Sequence, residues 1–279
     1  MIKEMIILNL NPQITEKLTK NEKKLINYIF QNIHQFSHMS IQDISEKTHI
    51  SQATISRLPK HLGYQNFKDM KIHMTEQLSP ANKMNSTLTQ EHSVSHYLSL
   101  QNEYIQKTIE HLNKDEVDAI VNHIIQAKTI YVFAKGASLC LAELLSFRLR
   151  RFQKNVVIMP SSGSEIFEIM PMIHFDDFVI MFGFLKTPVE AQILLEYCQK
   201  INCPTMMMSS RLIDDTSQMA NYNIYVYRGE NHEYHSMAVP MAYIDALIIE
   251  VAKKGGKEYT QAVEDIYQLK ENYKIKIQR

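Results

Sequence analysis

The stretch from Ser40 to Lys71, SIQDISEKTHISQATISRLPKHLGYQNFKDMK, constrains this chain more than any other. It divides into two short helical patterns joined by a tight turn. Ile41 and Ile44 give the first an apolar face behind Ser40, a residue suited to cap a helix N-terminus. Ile50, Ile55 and Leu58 give the second its apolar face, in a helix that starts at Ser51. Small Ser45 permits close approach of the two helices. His49 falls at the bend, and His is among the non-glycine residues that tolerate positive φ. Gln52, Thr54, Ser56, Arg57 and Lys60 take the outward positions, with no acid among them. A helical hairpin with a polar face is one reading. The other is a helix-turn-helix whose second helix enters the major groove of DNA. From Ile50 to His73 the chain carries four Lys or Arg residues (Arg57, Lys60, Lys68, Lys71) against one acid, Asp69, with His61 and His73 besides. Neutralising phosphates requires an excess of this sign.

A length of 279 residues is enough for two domains with real cores. The chain balances 30 basic against 30 acidic residues, yet residues 1–78 hold ten Lys+Arg and seven Asp+Glu while the rest hold 20 and 23. A mildly basic head on a mildly acidic body fits a chain whose head alone meets a polyanion. Cys140, Cys198 and Cys203 lack paired metal-ligand spacing and read as thiols of a reducing cytoplasm. No apolar run approaches the roughly 20 residues of a membrane span, and MIKEMIILNLN lacks the features of a signal peptide. A soluble, cytoplasmic chain with no membrane partner is expected.

Residues 1–16 read as a lead-in. The segment from Leu18 to Phe36 places Leu25, Ile29 and Ile33 on one helical face, with Ile26 and Phe30 beside them, behind a Thr19 cap. Gly63 closes the second helix of the opening motif. Tyr64–Leu78 forms a further helix with Phe67, Met70 and Met74 inward. Residues 79–93 are polar and read as a linker. Helical patterns over Tyr97–His111 and Lys114–Ala127 follow. Then come five short apolar runs, at 129–134, 155–159, 177–184, 204–208 and 223–227, separated by amphipathic helical segments such as Ala137–Phe152 and Val189–Lys200. Apolar strands with crossover helices imply a parallel, doubly wound sheet. Ala238–Ala252 and Tyr259–Tyr273 are helical.

On these residues the chain resembles the RpiR-type bacterial transcriptional regulators over nearly its full length. SxATISRL (51–58) and LGYQNFKDMK (62–71) are similar to that family's helix-turn-helix. IYVFAKGAS (130–138), RFQKNVV (151–157) and the acid of AYIDALI (242–248) are similar to the SIS, or sugar isomerase, domain. The resemblance implies a head that reads operator DNA and a body that binds a phosphosugar and assembles into dimers or tetramers. Pro59 departs from the family's small residue. It removes an amide donor and crowds the Ile55 carbonyl, at roughly 3 kcal/mol in a helix interior, so the helix is expected to kink or end there.

The resemblance also implies two phosphate loops at the C-terminal ends of strands, in sheet order 2-1-3-4-5. The first reads A-K-G-A-S at 134–138 and keeps Gly136 and Ser138, a possible anion site at a helix start. The second reads G-F-L-K-T-P-V-E at 183–190 and keeps only Glu190. Thr187, Pro188 and Glu190 fit a capping box instead. Lys135 and Lys186 follow the first and third strands, either as an anion-binding pair or as solvated loop lysines. Ser161 and Ser162 follow the second strand, and Ser162 with Glu165 fits another capping box. An isomerase would use a carboxylate with a His. Glu190, Glu233, His232 and His235 are of the right type, but the H-E-x-H run lacks the H-E-x-x-H spacing of two metal ligands on one helix face.

The expected fold is therefore α + α/β: an all-helical helix-turn-helix head followed by a doubly wound, five-stranded parallel SIS-like sheet. The head spans 1–78, a linker and connecting helix 79–105, and an effector and dimerisation domain 106–279. DNA binding falls to Ser51, Gln52, Thr54, Ser56, Arg57, Lys60 and Lys68. Effector binding falls to Lys135, Gly136, Ser138, Ser161, Ser162, Lys186 and Glu190. The expected partners are operator DNA and a phosphosugar or other anionic small molecule. No catalytic residue, metal or cofactor is expected. An SIS-like body that only dimerises or senses a different anion is the first alternative, and a sugar-phosphate isomerase the second.

Overall fold

The computed structural model describes residues 18–36, 39–78, 93–184, 187–210, 219–230, 233–274 and 276. Contacts divide the chain into two compact units, residues 1–100 with 228–236, and residues 101–227 with 237–279.

Among the described residues, the first unit is built from α1 (Lys20–Gln31), α2 (Ile33–Phe36), α3 (Ile41–Thr48), α4 (Gln52–His61) and α5 (Phe67–Leu78), with the start of a sixth helix. Thr19 caps α1 in a full capping box with Glu22, and Ser40 caps α3 in another with Asp43. In both, the side chains satisfy amides that a helix start leaves unpaired. The single helix expected from Leu18 to Phe36 is interrupted at Asn32, whose side chain donates to the Tyr28 carbonyl at 2.9 Å. His49 ends α3 in the left-handed region (φ 57), as its place in the sequence suggests. Ser45 Oγ donates to the Ile50 carbonyl at 2.7 Å, tying the turn to α3. Leu25, Ile29, Ile44, Ile55, Leu58, Met70 and Met74 are buried in one core.

The helix does not break at Pro59. Instead, α4 continues through it to His61, and Gly63 (φ 86) closes the element. Proline still removes the amide donor to the Ile55 carbonyl, but only His61 follows Lys60 before the helix ends. The Pro59 carbonyl accepts from the amides of Leu62 and Tyr64, and the ring itself is buried. The last helix of the unit begins at Phe67, not Tyr64, because Asn66 Oδ1 accepts from the Asp69 amide at 3.0 Å and sets the first turn there.

In the second unit, the end of α6 (Val94–Ile109) and α7 (Lys114–Gln126) precede a sheet of β1 (Ile130–Phe133), β2 (Val156–Ile158), β3 (Phe178–Phe182), β4 (Thr205–Ser209) and β5 (Tyr222–Tyr225). Between them lie α8 (Leu139–Arg150), the short α9 (Ile166–Ile169) and α10 (Val189–Lys200), and α11 (Ala238–Asn272) closes the chain. All pairings are parallel and the order is β2-β1-β3-β4-β5, as expected. Strands β1, β3 and β4 are buried at every residue. That continuous apolar pattern is what a sheet covered on both faces requires. Tyr131, Phe133, Val179, Met181 and Met207 pack with Leu194 and Leu195 of α10 in one core layer. The two terminal helical patterns join into α11, which keeps a non-helical residue at Gly256.

Candidate functional site

The outward side of α4 is built as expected. Ser51 caps the helix, its Oγ accepting from the Thr54 amide at 3.3 Å and lying 2.9 Å from Thr54 Oγ1. Gln52, Ser56, Arg57 and Lys60 are exposed, and Thr54 is half-buried. Arg57 Nε donates to the Ala53 carbonyl at 3.1 Å, which lays the stem along the helix. Lys68 is exposed at the start of α5.

Other basic residues of the head have structural roles. His61 Nδ1 lies 2.6 Å from Glu22 Oε1, whose side chain is only 4% exposed. Lys71 Nζ donates to the Met39 carbonyl at 2.8 Å and Lys24 Nζ to the Thr48 carbonyl at 3.1 Å, so two lysines hold the backbone at either end of α3. These contacts span 24 to 39 residues, and no local pattern announces them.

In the α/β unit, the loop after β1 carries Lys135 in extended backbone, then a single 3-10 turn over Gly136–Ser138 that leads into α8. Lys135 and Gly136 are exposed and Ser138 is buried. Ser138 stands at the N-cap of α8 without a side-chain capping bond. Ser161 is half-buried and Ser162 exposed in the turn after β2.

Neither expected capping box forms at these loops. The N-cap of α10 is Pro188, which has no side chain able to cap, and Glu190 is released from that role. Its carboxylate instead meets Lys135 Nζ at 2.7 Å. The Lys135 hydrogen bond, with one from its own amide, holds the Glu190 carboxyl below the usual carboxylate range. Likewise α9 begins only at Ile166, with Glu165 at its N-cap and no side-chain bond to it, so Ser162 and Glu165 do not form the reciprocal pair. The expected lysine pair is represented by Lys135 alone, since Lys186 lies outside the described residues.

Two hydroxyls that sequence reasoning passed over gather at the end of β4. Ser209 Oγ and Ser210 Oγ donate to the Phe184 carbonyl at 3.4 and 3.1 Å, joining that strand end to the loop after β3. The Ser-Ser pair ending MMMSS is the only trace of them in the sequence.

Glu233 and His235 do not form an acid-base pair. Glu233 Oε2 accepts from the Glu230 amide at 2.7 Å, and His235 Nε2 lies 3.0 Å from the Glu230 carbonyl, so both bond their own loop. His232 lies outside the described residues. Among the described residues no group of three His, Cys, Asp or Glu side chains is placed to hold a metal, and no helix is long and apolar enough to cross a membrane.

A helix-turn-helix with an acid-free outer helix, and a doubly wound sheet with loops at its strand ends, define a helix-turn-helix regulator with an α/β effector domain. Comparison with known proteins narrows this. Residues 5–81 match the helix-turn-helix domain of the rpiR family, and residues 123–250 match the SIS domain. The chain belongs to the RpiR family of helix-turn-helix transcriptional regulators with an SIS domain.

An uncharacterized HTH-type transcriptional regulator of Clostridium perfringens is 28% identical over 180 residues, 61% of this chain and 62% of that protein. The Escherichia coli regulator HexR is 26% identical over 147 residues, 51% of each chain. The matches thus span less than two thirds of these relatives. The Vibrio vulnificus NanR protein, solved in complex with ManNAc-6P, superposes with a TM-score of 0.58 at 18% identity, covering 96% of this chain and 97% of that one. At that identity the likeness carries the fold.

Proposed function

We propose that this chain is a DNA-binding transcriptional regulator of carbohydrate metabolism, with α4 as the recognition helix and the strand-end loops of the SIS domain as its effector site. The acid-free, exposed side of α4, capped by Ser51, carries this reading. Ser51, Gln52, Thr54, Ser56, Arg57 and Lys60 face the groove, and Lys68 meets a backbone phosphate. The chain acts as a homodimer or tetramer, so that two recognition helices meet a palindromic operator. A phosphosugar held near Lys135, Gly136, Ser138 and Glu190 must favour one arrangement of those helices to alter DNA affinity. The neighbouring NanR–ManNAc-6P complex supports this ligand class. Lys186 and the Ser161–Ser162 turn are assigned to the same site. The chain performs no catalysis and works in the cytoplasm.

The test is a selection of operator duplexes from a random pool, followed by anisotropy titrations. Arg57→Ala is expected to weaken operator binding by about 1–3 kcal/mol and relax base preference at one position. An unchanged selection profile would overturn the assignment of α4.

A second reading rests on the Lys135–Glu190 contact, which supplies the lysine with an internal counter-ion. In it the body only assembles the chain or takes a different anion. A phosphosugar at about 100 times its dissociation constant should add about 2.7 kcal/mol to stability. A complete screen of sugar phosphates without such a shift would favour the second reading.

A further inference from the structure

A cleft of about 360 Å³ separates α8 from the far half of α11, and it shares no residue with the loops above. Arg150, Arg151 and Lys270 border it, with Glu143, Ser146 and Phe147. No ion pair among the described residues involves any of the three cations. Arg150 is fixed by a bond from Nη2 to the Val156 carbonyl at 2.9 Å, which leaves its other donors for a ligand. Ser146 is 2% exposed, and its Oγ has no hydrogen-bond partner. Phe147 is 59% exposed.

Each feature alone has an ordinary explanation. Arginines near the end of α8 offset the helix dipole. That accounts for Arg150 but not for Lys270, which comes from another helix. A buried serine in a helix usually bonds the carbonyl four residues back. A buried hydroxyl left unpaired is destabilising, and the described residues offer nothing in return. An exposed phenylalanine covers no core. Together they make three cations without a described ion pair, an orphan hydroxyl and an aromatic surface around a cavity of ligand size.

We propose that this cleft is a second ligand site, distinct from the effector loops, that takes a phosphomonoester with a flat body. The phosphate meets Arg150, Arg151 and Lys270, for which a dianion with several acceptors is the natural counterpart. Ser146 donates to it. The body lies on Phe147, and Glu143 accepts from a hydroxyl of the ligand. The net charge of the lining, three cations against one acid, excludes a cationic or neutral ligand as the preferred occupant.

The test is calorimetric titration of the full chain at low salt with AMP, adenosine and inorganic phosphate. AMP is expected to bind, phosphate more weakly, and adenosine not measurably. Arg151→Ala combined with Lys270→Ala should weaken AMP by at least about tenfold, because two charge-assisted contacts are lost. Neither side chain makes a hydrogen bond or ion pair among the described residues, so folding should be unaffected. Ser146→Ala should weaken AMP several-fold with an unchanged or higher Tm, since it removes an unpaired buried group. Lys135→Ala should leave AMP binding intact. The proposal is overturned if AMP does not bind, or if the paired substitution leaves its affinity unchanged. It is equally overturned if binding is lost with Lys135→Ala alone, which would move the ligand to the effector loops. Sedimentation decides the other occupant: an oligomer broken by the paired substitution, with no AMP binding, would make the cleft an interface.

Discussion

Lys135 Nζ lies 2.7 Å from Glu190 Oε1, joining the loop after β1 to the first turn of the helix after β3. These two strands are neighbours at the point where the sheet order reverses, the place where an open α/β sheet holds its ligand. A carboxylate thus sits on the ammonium group that the proposed effector anion would use.

Removing each partner should have opposite effects. Lys135→Ala is expected to weaken binding of any sugar phosphate found in a screen, by about tenfold for one charge-assisted bond. Glu190→Gln frees the lysine and should strengthen binding several-fold. Both variants should keep a nearly unchanged Tm, because partly exposed ion pairs contribute about 0–1 kcal/mol. Calorimetry on the two variants checks this. If both lose affinity equally, Glu190 is itself a ligand contact.

The cation set of the head predicts how DNA affinity responds to salt. Lys60 and Lys68 are exposed and make no described internal bond, whereas Lys71 is held by the Met39 carbonyl. Lys68→Ala should weaken binding uniformly across sequences and reduce the slope of log K against log salt by about 0.9. Lys71→Ala should chiefly lower head stability. Titrations across a salt series, with thermal melts beside them, separate the two roles.

The buried Glu22 predicts an acid limit for the head. Burial pushes its carboxyl up, but the amide and hydroxyl of Thr19 and the His61 ring outweigh this and hold it below its ordinary value near 4.5. The folded head therefore binds fewer protons at this site than the unfolded chain. Its contribution to stability is complete above that ordinary value and is lost as pH falls through the lower folded one. The protection factors of α1 and α4 amides in the full chain, corrected for intrinsic exchange at each pH, should fall over that window. Glu22→Gln should flatten the dependence, and an equally steep profile in that variant would remove Glu22 from the account.

Features set by neighbouring residues were legible in the sequence, and features set by distant ones were not. Ser40 at the helix start, His49 at the bend and Gly63 past the helix end each act within one turn, and each took its expected place. The parallel sheet followed from buried apolar runs joined by helix-length segments, whereas its strand order came from the family resemblance, and the structure has that order. The loop after β3 was misread for a physical reason. T-P-V-E satisfies the local rule for a capping box, but a cation 55 residues away competes for Glu190 and wins. The His61–Glu22 pair, 39 residues apart, was invisible for the same reason. Pro59 shows the converse: a strong local breaker signal was outweighed, and the helix runs on to His61.

The kink in α11 gives a last prediction. Gly256 has φ 61 and ψ −135, a conformation that a side chain strongly disfavours, and a Cβ on Gly255 would run into the Tyr259 ring. That ring stacks on Phe152 at 4.9 Å, so it cannot retreat without losing the contact. Alanine at either glycine should cost about 1–3 kcal/mol, at Gly256 through backbone strain and at Gly255 through overpacking. The two mechanisms separate in a double-mutant cycle with Tyr259→Ala. With the ring gone, Gly255→Ala should become nearly neutral, while Gly256→Ala should keep its full cost, since backbone strain has no partner to remove. Urea unfolding of the five variants measures both terms. Equal costs in the two backgrounds for Gly255→Ala would show that the ring does not enforce the glycine.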